Sequence, residues 1–174
     1  MDSSARGTIT DGTTLTFTRV TDEGAPATIT IRWYVASFSS GVTVQRGEFN
    51  LTALNFDVGA AQGFTGVAAV DHAFVLWSKT PMAGDVNNVS DDDPVVGELT
   101  STTNLQFRVV TANGMTVSWQ VVEFTNAPDV LVQKGSTALT GGALTVDVTL
   151  PTPVNVASTF VLAGYTTTGI GADI

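Results

Sequence analysis

The side chains able to carry chemistry are few, and the combinations they form are narrow. His72 is the only histidine and cysteine is absent. That excludes multi-histidine metal centres, thiolate sites, disulfides and a cysteine nucleophile, and leaves one candidate base for a serine mechanism. Its surroundings, residues 70–74 (VDHAF), read as a solvated turn entering a strand. Oxygen ligands are densest in residues 80–94, where Asp85, Asn87, Asp91, Asp92 and Asp93 could hold a hard cation such as calcium, with Asp91, Asp92 and Asp93 at its centre. Their spacing departs from the EF-hand pattern of alternating ligands, a glycine and a later glutamate. The segment reads as a solvated linker. As a site, it reads as a contact with a partner chain ahead of a calcium site.

Two more groups of residues invite a role. Arg46 and Lys134 both lie in a Gln-basic-Gly triplet, in a chain with only seven basic residues, and are candidates for polar contact with a neighbour. Their plainer reading is a strand edge kept soluble by a cation, with a glycine set by the backbone. Tyr34, Trp77 and Tyr165 are the aromatic residues able to contact a sugar, although Trp77 reads more simply as a lid on the adjacent loop. Thr8, Thr10, Thr14, Thr16 and Thr18 alternate with Ile9, Leu15 and Phe17, as the exposed face of a strand does. Nucleophile elbow, phosphate loop and zinc signatures are all missing. The expectation is a protein that is not an enzyme and has no cofactor.

The elements that must position these residues recur along the chain. Residues 7–17 (GTITDGTTLTF) align with 97–107 (GELTSTTNLQF), and 31–38 (IRWYVASF) with 117–124 (VSWQVVEF). VQRG at 44–47 matches VQKG at 132–135, LNFDV at 54–58 matches LTVDV at 144–148, and FVL at 74–76 matches FVL at 160–162. Five blocks in one order, 86 to 90 residues apart, imply a tandem duplication. The units are residues 1–90, carrying the insertion 80–94, and residues 95–174.

Each unit reads as five to seven short strands; in the first they fall near 7–10, 13–20, 28–38, 42–52, 54–58 and 73–80. Ile29, Ile31, Trp33 and Val35 alternate with polar neighbours, and Met115, Val117, Trp119 and Val121 repeat the pattern. Asp11-Gly12, Asn113-Gly114 and Gly141-Gly142 are candidate two-residue hairpin turns. The fold expected is all-β, two tandem antiparallel β-sandwiches of jelly-roll or immunoglobulin-like size. Trp33 and Trp119 should then be buried at equivalent positions, as should Ile31 and Val117, Phe17 and Phe107, and Phe74 and Phe160.

Composition agrees with a strand-rich folded chain. Among 174 residues, 24 Val and 28 Thr are β-branched, and 43% hydrophobic against 13% charged residues is the opposite of a disordered composition. A net charge of −9 has the wrong sign for nucleic acid or anionic lipid, and neither is expected as a partner. No apolar run is long enough for a membrane helix, and Met1 to Arg6 lack the regions of a leader. The sequence reads as a protein that works where it is made, as one whose leader has been removed, or as a piece of a longer one.

At WQVVEF (119–124), VQKG (132–135) and FVL (160–162) the chain resembles repeat units of virion structural proteins of tailed bacteriophages and related bacterial surface proteins. The resemblance implies a capsid decoration or tail-fibre module, assembled in the host cytoplasm and displayed on the virion surface. Its partners would be other virion proteins, in a homo-oligomer or lattice. A weaker likeness to H-type lectin domains implies the alternative, a carbohydrate-binding or adhesin module that is extracellular or on a cell surface, with a glycan as partner. The first strands of the chain could also complete its last unit by pairing with it.

Overall fold

The computed structural model describes residues 5–19, 30–80, 94–110, 114–126, 130–140 and 144–166. They are all-β. The strands are β1 (Arg6–Ile9), β2 (Leu15–Thr18), β3 (Val42–Leu51), β4 (Asn55–Val58), β5 (Ala73–Lys79), β6 (Val96–Ser101), β7 (Asn104–Arg108) and β8 (Met115–Phe124). Single 3-10 turns occur at Ala60–Gln62, Val70–His72 and Val156–Ser158, and among the described residues there is no α-helix.

Three antiparallel sheets form: β1-β2, β3-β8-β5 and β4-β7-β6. The two three-stranded sheets face each other as a sandwich. Phe49 and Leu51 of β3, Val75 of β5 and Met115, Val117, Trp119 and Val121 of β8 are buried with Val58, Leu99, Leu105 and Phe107 of the opposite sheet. Phe49 stacks on Phe56 at 4.5 Å and tilts against Phe107 at 5.1 Å, which carries the core across the gap between the sheets. Phe64, in the connection from β4 to β5, closes one side edge-on to Trp119 at 6.0 Å. Because β8 is the central strand, its outer-face residues Ser118 and Val122 are buried as well, more than its alternating sequence requires.

This pairing runs across the expected boundary at 90–95. Strands β3, β4 and β5 from before residue 90 pair only with β6, β7 and β8 from after it. Flanking this central sandwich, residues 30–38 and the described residues of 130–166 belong to no strand. The expected strand at 28–38 is therefore not formed over its described residues, nor are the counterparts near 132–135, 144–148 and 160–162. The expected burial changes with it. Trp119 is 1% exposed and Trp33 59%, while Phe107 is fully buried and Phe17 36% exposed. Ile31 and Phe160 are exposed too. Among the described residues no strand pairs beside Trp33 as β3 and β5 do beside Trp119, so similar sequence patterns have unequal burial.

Turn chemistry also differs from expectation. The β1-β2 connection closes with the Thr10 N–H donating to the Thr14 carbonyl at 3.0 Å, and the Asp11 carboxylate accepts from the Thr13 N–H at 2.8 Å. A side chain imitating a backbone turn replaces a two-residue hairpin, and Gly12 is not among the positive-φ glycines. Gly114 does adopt φ 81°, while Asn113 and Gly141-Gly142 lie outside the described residues.

Candidate functional site

The flanking segments hold the candidate site. In residues 30–38 the exposed apolar side chains are Ile31, Trp33, Tyr34, Val35 and Phe38. In residues 130–166 exposure is heavier still, with Leu139, Val146, Val148, Leu150, Val161 and Leu162 among the large apolar side chains in solvent. Scattered apolar exposure is ordinary; a large contiguous apolar patch is the mark of an interaction surface.

The hairpin that precedes residues 30–38 and the segment 130–166 are tied to the central sandwich at separate places. Strand β1 lies on the outer face of the β3-β8-β5 sheet. There Arg6 Nη1 pairs with the Glu48 carboxylate and donates to Ser118 Oγ at 3.0 Å, while the Gly7 N–H donates to Ser78 Oγ at 3.1 Å. The hydrogen bond from Arg6, helped by one from Ser118 Oγ at 2.9 Å, holds the Glu48 carboxyl below its usual range. A shallow groove runs between β1 and this sheet, lined in part by Thr8, Ile9, Arg46 and Gln120. The other flank is anchored near β5 and β6. Val132 N–H donates to the Asp71 carbonyl at 2.7 Å, Phe160 packs edge-on to Phe74 at 5.8 Å, and Lys134 Nζ binds the Leu99 carbonyl with Glu98 3.6 Å away.

Three local features at the two ends of the chain repeat ones in the central sandwich. Hairpin β1-β2 pairs Gly7 with Phe17 and Ile9 with Leu15, and β6-β7 pairs Gly97 with Phe107 and Leu99 with Leu105. In each hairpin the ring lies over the glycine: a Cβ on Gly7 would come 2.9 Å from Phe17, and one on Gly97 2.6 Å from Phe107. Gln45 clamps the chain by accepting from the Thr65 N–H at 2.8 Å and donating to the Gly66 carbonyl at 2.5 Å. Gln133 clamps Thr152 in the same manner, accepting from its N–H at 2.7 Å and donating to its carbonyl at 2.8 Å. The 3-10 turns Val70–His72 and Val156–Ser158 stand 86 residues apart.

The residues singled out in the sequence do not converge on one point. Arg46 is exposed on β3, and its Gly47 makes room for Trp119 rather than forming a bulge. Lys134 is engaged with Glu98 and Leu99. Tyr34 is 94% exposed and Tyr165 is exposed, whereas Trp77 is half-buried, edge-on to Phe107 at 6.2 Å, with its indole N–H donating to the Val95 carbonyl at 3.1 Å. Trp77 is thus a packing residue and no part of an open aromatic platform. His72 is half-buried in its turn, 4.0 Å from Asp71. Asp85, Asn87, Asp91, Asp92 and Asp93 lie outside the described residues, and among the described residues no group of three or more His, Asp or Glu is placed to hold a metal ion. No described helix is long and apolar enough to cross a membrane.

The exposed face of residues 130–166 was missed in the sequence because its alternation is that of an ordinary half-buried strand. Periodicity reports which side chains share a face, not whether that face has a cover. No protein-family model, curated protein or solved structure matches the chain.

Proposed function

We propose that the protein is a non-enzymatic structural component of a virion surface, a capsid decoration or tail-fibre module that acts through protein–protein contacts. The observation that carries this reading is the pair of flanks, residues 30–38 and the described part of 130–166, with apolar side chains exposed in rows and no strand partner among the described residues. A chain that leaves Trp33, Val146, Val148 and Val161 in water bears a cost that contact with another chain removes. The bacteriophage resemblance supplies the setting.

The same reading takes the chain as two sandwich units related by tandem duplication. What supports it is local: the paired glycine–phenylalanine hairpins, the paired glutamine clamps and the paired 3-10 turns. Quantitative mass spectrometry of purified particles encoding the chain tests the function. Copies in stoichiometric ratio to a capsid or tail protein are expected, and absence from washed particles overturns the reading. Exposed Tyr34 and Tyr165 favour the carbohydrate-binding alternative. A glycan array on which both tyrosine variants lose a specific signal would decide for it.

A further inference from the structure

We infer that residues 6–18 and 30–38 of one copy and residues 130–140 and 144–166 of a second copy close into a second sandwich, so that the protein associates head to tail. This rests on the reading that the flanks make protein contacts, and names the partner as the chain itself. The flanks are complementary halves. Residues 6–38 correspond in order to β6, β7 and β8, and residues 130–166 to β3, β4 and β5, and the central sandwich is built by pairing those two sets. At an offset of 88, residues 130–139 (VLVQKGSTAL) keep Val42, Val44, Gln45, Gly47 and Leu51 of β3, with Lys134 in place of Arg46.

Carrying the observed register across predicts the missing interface residue by residue. Gly47 faces Trp119, so Gly135 faces Trp33; Trp77 also faces Trp119, so Ala163 takes the other side of Trp33. Val75 faces Val121, so Val161 faces Val35; Phe56 faces Phe107, so Val146 faces Phe17; and Val58 faces Leu105, so Val148 faces Leu15. Apolar meets apolar at each of these places, and the glycine falls where the indole needs it. The β1-β2 hairpin and the Gln133 clamp already hold the local shape of their counterparts, so association has to order the strands at 30–38 and in 130–166 but not these two features.

Among the described residues no strand pairing joins the halves within one chain. Strand β1 is bonded to Glu48, Ser78 and Ser118, the other flank to Asp71, Leu99 and Glu98, and neither residues 30–38 nor the described residues of 130–166 join a strand. A second copy supplies each missing half, as in strand complementation, and a head-to-tail contact of this kind propagates into a ring or a filament.

Light scattering and cysteine trapping on the full chain test this. A Cβ at Gly135 meets nothing within 4 Å in the single chain, so Gly135→Val leaves the central sandwich intact while striking Trp33 in the complex. The parent should associate at micromolar concentration, and Gly135→Val should raise the concentration for half-association at least about tenfold with unchanged circular dichroism. Because the chain has no cysteine, Tyr34→Cys and Lys134→Cys made on separate copies should form a mixed disulfide on blending, far faster than either variant with itself. An intrachain bond in a monomeric double variant overturns the inference, as does an oligomer indifferent to Gly135→Val. A persistent monomer at high concentration also overturns it, yet leaves the virion reading standing if particles still contain the chain; absence from particles with intact self-association does the reverse.

Discussion

Substituting Gly47 with alanine probes the most crowded point of the central sandwich. A Cβ there would lie 2.7 Å from Trp119 Cζ2, 2.9 Å from Trp119 Cε2 and 2.8 Å from the Gln62 carbonyl oxygen. Neither neighbour can give way cheaply. Trp119 is enclosed, with Phe64 edge-on to it, and the Gln62 carbonyl belongs to a 3-10 turn closed by Gln62 N–H to Gly59 and Gly63 N–H to Ala60 at 3.0 and 3.1 Å. The Gln62 side chain adds a bond from the Gly59 N–H at 3.0 Å. Overpacking costs about 1–3 kcal/mol, here in the upper part of that range at about 2–3 kcal/mol because neither neighbour yields, and the smaller entropy of the unfolded alanine chain returns about 0.4–1 kcal/mol, for a net loss of about 1–2.5 kcal/mol. With a urea slope of about 2 kcal/mol per molar, the unfolding midpoint should fall by roughly 0.5–1.25 M. Gly59→Ala is the control, since a Cβ there meets nothing within 4 Å and the backbone is extended, so its midpoint should hold or rise slightly. Urea titrations followed by circular dichroism at one protein concentration suffice. A Gly47→Ala midpoint equal to the parent's would show that the glycine is not making room for the tryptophan, and would remove the ground for placing Gly135 against Trp33.

Trp119→Ala should cost the central sandwich about 3–5 kcal/mol, whereas Trp33→Ala should leave its unfolding unchanged in dilute solution, where no partner covers residue 33; equal losses at low concentration would contradict the assigned burial. The Arg6 contact lowers the pKa of Glu48 in the folded state, so its contribution is present above the ordinary glutamate value of 4.5 and is lost as pH falls through the lower folded value. Acidification through that lowered folded value should therefore release β1, seen as faster exchange of the Gly7 amide after correction for the intrinsic rate. Glu48→Gln should show that fast exchange at neutral pH as well, and a pH-independent Gly7 amide in the parent would refute the tether.

What the sequence determined by itself was whatever depends on near neighbours. The β-branched composition and the two-residue period place β3, β4 and β5 close to where they occur, because side chains alternating on a pleat need no distant partner to be recognised. The recurrence of Gly7 with Phe17 and Gly97 with Phe107 was legible because each pair closes within one hairpin. Tertiary structure alone decided which strand meets which. Antiparallel partners are chosen by long-range burial, and here β3 and β5 take β8 between them, across the boundary that the repeats suggest. Trp33 and Trp119 stand in similar alternating patterns and in opposite surroundings: among the described residues Trp119 is enclosed between two sheets, and Trp33 is 59% exposed. Burial belongs to a pair of surfaces, and a single segment carries only one of them.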